Sequence, residues 1–575
     1  MAKDNKKPTM QQVLAEFENI SAERKRLVAE GEVPEWYITQ GYMMFTRKYS
    51  YLGETVRGAF TRVANHLAQY VPHLPEAAEK FFQIQWKGHL APSTPVLCNT
   101  GTPRGHSVSC SGGYIGDSVY EFKMSEVEAA LLSQKGYGTS GYLSDIRHRG
   151  APISTGGEAS GAVEVFDSFL DMSGKISQGN NRRGQWAGYL HVDHADFWEM
   201  AGYVLKNTGA ANIGWIFTDE FIQKLVDKDK EAIRRWNRVM YLRARTGKGY
   251  IWKIDTANRL APLAIKNCGI PIRASNLCTE IALPQNEEYT YSCVLSSLNL
   301  SKWHEFDEDT IYWAHIFLDC VVSDTIKQTQ GTRGLEKIAK FTEDFRAIGL
   351  GTLGWHTLLQ KNMIPMESLE AQFLNTEIFR KIQEEQLRAS RDLARDLGEP
   401  LMCKGTGLRN ATNTAIAPNT SSALLCGGVS QGIEPLVANT YNQPTAAGEV
   451  TRMNPLLIEL LKSKGIYSEE LMRDIDMNFN GSIQHLDQLS DIEKLVFKTA
   501  FEIPQGLLVR LASQRQLYID QAQSLNLFFD TDEQYIAEVT KQALLDPNIK
   551  SLYYQRSLRG VKASKGTSEC VACHA

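Results

Sequence analysis

The stretch most loaded with chemistry is Ser275-Asn-Leu-Cys-Thr-Glu-Ile281. If it is extended, side chains alternate, and Asn276, Cys278 and Glu280 project to one side. A carboxylate can act as general base, a thiol as nucleophile or radical carrier, and an amide can orient a hydroxyl. A strand edge with a buried cysteine would hold the same residues, since free cysteine is among the most buried residue types; the segment alone leaves both readings open. Two further segments add reactive groups. Ser93-Thr-Pro-Val-Leu-Cys runs on to His106-Ser-Val-Ser-Cys110 and Gly116-Asp-Ser, and Ala417-Pro-Asn-Thr-Ser-Ser422 precedes Gly432-Ile-Glu-Pro435. Hydroxyls and backbone N–H groups in a Pro-Asn-Thr-Ser-Ser turn suit a phosphate, although a plain Ser/Thr turn has the same composition.

Near the C-terminus, Tyr553 and Tyr554 are adjacent, and the last residues spell Cys570-Val-Ala-Cys-His574. The pattern C-x-x-C-H also marks c-type haem attachment. That reading would need export and a folded domain around the haem, and neither is expected here. A zinc site would need further ligands from elsewhere. The final twenty residues are rich in Lys, Ser, Gly and Thr without apolar period, which fits a flexible tail bearing a mobile dithiol.

Elements that could position these groups are legible in outline. Residues 8–90 read as mostly helical, with Val56, Phe60, Val63 and Leu67 on one helical face. After Pro92, Gly- and Ser-rich loops interrupt short apolar runs to about residue 190. Between 280 and 300, β-like runs at Ile281-Ala-Leu and Cys293-Val-Leu flank a polar loop. The pattern predicts a helix over 376–397 ended by Gly398, and another from a capping box at Thr531-Asp-Glu-Gln with Ile536, Val539 and Ala543 on one face. Short strands alternating with longer helices favour an α/β fold.

Composition bounds the rest. The 575 residues are 43% hydrophobic and 22% charged, with net charge −4. That excludes collagen-like and broadly disordered chains and gives no electrostatic footprint for nucleic acid or an anionic membrane. The polar N-terminus has no apolar run of a signal peptide, and no stretch is long enough for a membrane span. Ten cysteines in 575 residues are far below the density of a disulfide-stapled secreted domain. A reducing cytoplasm is the expected compartment.

Taken in order, these segments resemble the large catalytic subunit of aerobic ribonucleotide reductase. The matching blocks are Ser93-Thr-Pro, Val108-Ser-Cys110, Gly116-Asp-Ser, Ser275–Ile281, Cys293-Val-Leu-Ser-Ser-Leu-Asn-Leu300, Pro418–Ser422, Gly432–Pro435, Ile519-Asp-Gln-Ala-Gln-Ser-Leu-Asn526, Leu552-Tyr-Tyr-Gln555 and Cys570-Val-Ala-Cys573. The resemblance implies a ten-stranded α/β barrel of two five-stranded halves with a finger loop through its centre. It would occupy 92–555, between a helical N-terminal domain (1–91) and a redox tail (556–575). Cys278 at the finger tip would carry a thiyl radical that abstracts the ribose 3′-hydrogen. Glu280 would take the 3′-hydroxyl proton and Asn276 would bond the same region. Cys110 and Cys293 would supply two reducing equivalents and finish as a disulfide, recharged by Cys570 and Cys573, themselves reduced by thioredoxin or glutaredoxin. The other five cysteines, Cys98, Cys268, Cys320, Cys403 and Cys426, match no functional position and read as packing.

In class I of the family, a tyrosine pair such as Tyr553 and Tyr554 relays a radical from a separate ferritin-like small subunit whose metal site generates it. No metal site is expected in this chain. The stretch Gln178-Gly-Asn-Asn-Arg-Arg-Gly184 looks closer to the cobalamin-dependent class, so adenosylcobalamin stands as the alternative radical source; class I is favoured. Thr94 and Ser109 would contact the substrate, and Pro418, Asn419, Thr420, Ser421 and Ser422 would grip its phosphates. Asp117 and Arg147 would belong to a specificity site for a deoxynucleoside triphosphate or ATP with Mg2+ at a homodimer interface. The loop 177–185 would relay effector identity through Arg182 or Arg183. The first matching block lies near residue 92, so an N-terminal ATP-binding module is not expected.

Overall fold

The computed structural model describes residues 10–154, 156–178, 182–445, 448–530 and 532–557. The tail pair Cys570 and Cys573 and the predicted cap Thr531 lie outside them. The N-terminal part is helical: Met10–Ala29, Thr39–Met44, a π-turn at Phe45–Tyr49, Val56–Ala68 and Ala77–Trp86. Val56, Phe60, Val63 and Leu67 are all buried, as their spacing predicts, and Thr55 caps their helix by accepting from the Gly58 N–H.

Among the described residues the strands follow in chain order: β1 Leu90–Pro92, β2 Cys110–Tyr114, β3 Gly138–Tyr142, β4 Ser177–Gln178, β5 Arg182–Arg183, β6 Trp186–His191, β7 Ile213–Phe217, β8 Tyr250–Lys253, β9 Tyr291–Asn299, β10 Ile348–Leu353, β11 Thr440–Thr445, β12 Gly448–Met453, β13 Leu527–Phe529, β14 Ser551–Leu552 and β15 Gln555–Ser557. The order β2-β3-β6-β7-β8 is parallel throughout and forms one five-membered half. β9 is antiparallel to β2 and parallel to β10, which opens the other half.

That second half continues through two extended segments. Ile348 and Leu350 donate backbone N–H groups to the carbonyls of Thr412 and Asn413. Residues 414–416 then bond in parallel to 521–524, through Gln521 N to Thr414 O, Ile416 N to Ala522 O and Ser524 N to Ile416 O. Tyr553 N donates to Leu525 O, and β14 pairs antiparallel with β8. The ring is therefore closed. Five parallel members face five others, and the halves meet antiparallel at β2/β9 and β8/β14.

Residues 270–286 thread this ring without regular structure, buried from Ala274 to Gln285. The run Ile281-Ala-Leu belongs to this loop and is not a strand, since its N–H groups bond to side chains. Two stretches that read as Gly/Ser loops are barrel strands: β2 is Cys-Ser-Gly-Gly-Tyr and β3 is Gly-Thr-Ser-Gly-Tyr. Their glycines answer close approach. A Cβ on Gly112 would lie 2.3 Å from the Tyr291 ring, and one on Gly141 2.7 Å from Ile115.

The long helix spans Leu369–Leu397, capped by Ser368 and ended at Gly398 (φ +83°); it starts seven residues before the predicted 376. The helix Glu533–Leu545 is capped by Asp532, which accepts from the N–H groups of Gln534 and Tyr535, so its start lies one residue later than the capping-box reading. Ile536, Val539 and Ala543 are buried on it as predicted.

Candidate active site

The barrel interior is one apolar cluster that includes Tyr142, Tyr189, Tyr250, Trp252, Tyr291, Tyr553 and Tyr554, with Cys110, Cys278 and Cys293 among them. Into it the finger loop delivers its polar residues, though not by strand alternation. Residues 277–279 form a turn closed by Thr279 N donating to Asn276 O at 3.3 Å, and Thr279 sits in the left-handed region at φ +69°. A β-branched residue there is strained by roughly 1–3 kcal/mol and persists only when neighbours fix it. Here the fixing bonds go to backbone carbonyls. Tyr189 OH donates to Asn276 O (2.6 Å), Ser524 Oγ to Cys278 O (2.6 Å) and Ser551 Oγ to Thr279 O (3.0 Å).

This turn brings the predicted groups together. Asn276 Nδ2 donates to Cys110 Sγ at 3.2 Å, and Cys110 Sγ lies 3.9 Å from Glu280 Oε1. Cys110 is directly opposite Cys293 in the β2/β9 register. Cα atoms opposite each other in an antiparallel pair are about 4.5–5.5 Å apart, within the range a disulfide spans; the two are not bonded to each other here. Tyr553 OH points at Cys278 Sγ at 3.5 Å. Tyr554 packs on Tyr553 with ring centroids 4.0 Å apart, and both tyrosines are buried.

Burial sets the proton affinities. Desolvation pushes the Glu280 carboxyl up to about 7 against hydrogen bonds from its own backbone, Asn276 and Ser524 that favour the carboxylate. Ser524 Oγ contacts Glu280 Oε2 at 3.0 Å. Burial likewise raises the Cys293 thiol, opposed by a hydrogen bond from Gln521. Cys98, Cys403 and Cys426 are buried thiols pushed up to about 12 by desolvation, and Cys320 and Cys268 are raised for the same reason. Such thiols are poor nucleophiles, in keeping with packing.

The other predicted residues fall into separate places. Ser109 Oγ bonds Ser93 Oγ at 3.3 Å, and Ser296 Oγ lies 3.3 Å from the Ser93 N–H. Thr94 Oγ1 shares a bond with Tyr49 OH at 2.8 Å. Asn419 (φ +61°) precedes the short helix Thr420–Leu425, its amide donating to the carbonyls of Thr352 and Ala417. Pro418, Ser421 and Ser422 are buried, Thr420 Oγ1 bonds Gln431, and Ser422 lines one small cavity with Pro92. The Ser93 and Pro418 segments are therefore neighbours.

Asp117 and Arg147 meet in a two-point ion pair, Arg147 Nε to Asp117 Oδ2 at 2.6 Å and backbone N to Oδ1 at 3.1 Å. Arg182 and Arg183 form β5, paired antiparallel with Ser177 and Gln178 of β4. Among the described residues no group of three or more His, Cys, Asp or Glu is set to hold a metal ion, and no helix is long and apolar enough to cross a membrane.

Several site residues escaped the sequence reading. Gln521, Ser524, Ser551, Tyr189 and Ser140 all bond the finger loop. Asn526 links Tyr554 N to Glu434 Oε1 (2.9 and 2.6 Å). For Gln521, Ser524 and Asn526 the signal was the density of amides and hydroxyls in Ile519–Asn526; Ser140, Tyr189 and Ser551 carried none.

A family model for the ribonucleotide reductase barrel domain matches residues 108–232, 220–403 and 400–555, and one for the ribonucleotide reductase all-alpha domain matches 37–105. The chain belongs to the ribonucleotide reductase family. It is 35% identical to a putative ribonucleoside-diphosphate reductase large subunit of Frog virus 3, over 87% of this chain and 93% of that protein. It is 30% identical to a vitamin B12-dependent ribonucleoside-diphosphate reductase of Thermoplasma acidophilum, over 86% of this chain and 68% of that one. The Actinobacillus ureae class Id ribonucleotide reductase alpha subunit superposes with a TM-score of 0.84 at 34% identity, covering 92% of this chain and 99% of that one.

Proposed function

We propose that this chain is the catalytic subunit of a class I ribonucleotide reductase, converting ribonucleoside diphosphates to 2′-deoxyribonucleotides. The observation that carries the class is the contact of Tyr553 OH with Cys278 Sγ at 3.5 Å, with Tyr554 packed behind it. Two packed phenols, their ring planes tilted by 46°, leading to a buried thiol make a hopping route for an oxidising equivalent generated outside this chain, at the metal site of a ferritin-like small subunit.

Each group then has one task. Cys278, oxidised to the thiyl, takes the 3′-hydrogen from a ribose bound across the barrel. Glu280 as carboxylate accepts the 3′-hydroxyl proton, which its raised affinity suits near neutral pH; Asn276 orients that hydroxyl. The 2′-hydroxyl leaves as water with a proton from the Cys110/Cys293 pair. These two thiols supply two electrons and two protons and end as a disulfide, and the 3′-hydrogen returns from Cys278. Ser93, Thr94, Ser109 and the Pro418–Ser422 loop would hold the substrate's sugar and phosphates. Asp117 and Arg147, with the β4/β5 hairpin, would form the effector site of a homodimer, taking a deoxynucleoside triphosphate or ATP with Mg2+. Cys570 and Cys573, recharged by thioredoxin or glutaredoxin, would reset the active-site pair.

The deciding assay uses purified chain, dithiothreitol, ribonucleotide and effector, run with adenosylcobalamin alone and separately with the metal-loaded small subunit. Turnover only with the small subunit is expected; turnover with cobalamin alone would overturn the class. Cys278→Ser should remove turnover while effector binding persists. Cys570→Ser should spare dithiothreitol-driven turnover and impair turnover driven by thioredoxin.

A further inference from the structure

Each sulfur of the reducing pair has one carboxamide against it. Asn276 Nδ2 donates to Cys110 Sγ and Gln521 Nε2 to Cys293 Sγ, both at 3.2 Å. The two amide oxygens are held by consecutive N–H groups of the finger loop: Ile281 N donates to Asn276 Oδ1 at 3.2 Å and Ala282 N to Gln521 Oε1 at 3.1 Å. Gln521 is fully buried and reaches the finger from the opposite wall. Its Nε2 also lies 3.1 Å from Ile348 O and 3.0 Å from Thr412 Oγ1, which makes three acceptors for two hydrogens. Thr412 Oγ1 itself donates to Ile348 O at 3.0 Å, so one amide N–H can commit to sulfur without stranding that carbonyl.

We propose that Gln521 is a positioning residue that receives Cys293 as the departing thiolate when the active-site disulfide is re-reduced, so that Cys110 is the sulfur attacked. This rests on the reading that Cys110 and Cys293 form a disulfide during turnover. A thiolate of an incoming dithiol attacks Cys110 Sγ, the Cys110–Cys293 bond breaks, and its electron pair stays on Cys293 Sγ beside the Gln521 N–H. Cys293 then takes a proton. The second thiol of the dithiol breaks the mixed disulfide, releasing reduced Cys110 and oxidised dithiol. The burial of the two residues runs the same way, Cys293 being 0% exposed and Cys110 5%. Thiol–disulfide exchange speeds up as the leaving sulfur's proton affinity falls. Burial pushes Cys293 the wrong way and the Gln521 bond opposes it.

The test oxidises the full-length chain with diamide, verifies the Cys110–Cys293 bond by peptide mapping, and follows its reduction by dithiothreitol with quenched thiol labelling from pH 6 to 8.5. Hydrogen bonds to charged groups are strong enough that Gln521→Leu should slow reduction by about tenfold to a hundredfold. Gln521→Glu should be slow at pH 8.5, where a carboxylate faces the thiolate, and approach wild type at pH 6, where a neutral carboxyl presents an O–H. A folded Gln521→Leu chain that is reduced within about twofold of wild type would sink the proposal, as would a Gln521→Glu to wild-type ratio that does not change with pH. If Gln521→Leu does not fold, the pH dependence of Gln521→Glu decides alone. Failure to map a Cys110–Cys293 disulfide in wild-type chain after turnover would instead remove the reading beneath.

Discussion

The two halves of the barrel do different work. In the half β2-β3-β6-β7-β8 the ladders are regular and the mass is aromatic, with Trp186, Trp215 and Trp252 fully buried. It touches the finger at the base of the turn, through Ser140 to Ser275 O, Tyr189 to Asn276 O and the Asn276 amide to Cys110. The other half is built partly from irregular segments rich in amides and hydroxyls. It holds the reactive tip, through Gln521, Ala522, Ser524 and Ser551 to residues 278–282. Regular ladders satisfy their own backbone groups, so they can be lined with large apolar side chains. Irregular ones must be completed by polar side chains, and those side chains are then available to fix the finger loop. One half is scaffold and the other is clamp.

This contrast can be broken at several points. The largest effect belongs to the tip itself: Glu280→Gln should lower turnover by about 10²–10⁴-fold and remove an acid limb that the wild-type rate shows near pH 7, measured as kcat against pH. The same substitution reports on stability. The folded carboxyl binds its proton more tightly than an unfolded one, near 4.5, so the native state holds the extra proton between 4.5 and about 7. The burial penalty is therefore absent below 4.5 and complete above 7. Glu280→Gln should raise Tm more at pH 8 than at pH 5.

In the scaffold half, Trp215→Ala should cost about 3–5 kcal/mol by denaturant unfolding while the folded enzyme keeps its kcat. Loss of turnover without loss of stability there would erase the distinction. In the clamp half, Ser524→Ala removes a hydroxyl that contacts both Cys278 O and Glu280. It should cost only about 1–2 kcal/mol of stability yet reduce kcat by about tenfold, read from the same pair of measurements. The smallest stability effect is expected at Arg147→Ala. Its ion pair with Asp117 is partly exposed, so unfolding should shift by less than about 1 kcal/mol, while the response of substrate choice to effector is lost in a competition assay.

The reactive residues were more legible than the elements that hold them, for a physical reason. Reactive residues carry their chemistry in their type, so Asn276, Cys278, Glu280, Cys110 and Cys293 stood out, and the structure brings them together. The manner of their convergence did not, because a turn with Thr279 at positive φ depends on bonds from Tyr189, Ser524 and Ser551, far away in sequence. The scaffold strands β2 and β3 read as loops because Gly and Ser have low strand preference. What makes them strands is the fit of Gly112 and Gly141 under neighbouring side chains, a tertiary effect that outweighs propensity. The helix spanning Leu369–Leu397 was found as 376–397 with its end at Gly398, but its first turns, before residue 376, were missed.

Cys110 stands on the first strand of one half and Cys293 on the first strand of the other, facing each other across the β2/β9 seam. In the proposed cycle, each product molecule leaves behind a covalent staple between two halves joined there by ladder hydrogen bonds. A cross-link between residues so distant in the chain restricts the unfolded ensemble, by about 2–4 kcal/mol in typical cases. The spent enzyme is then the sturdier form, and the charged enzyme the looser one. Redox state would act as a latch on the barrel wall, fastened by turnover and released by the reductant.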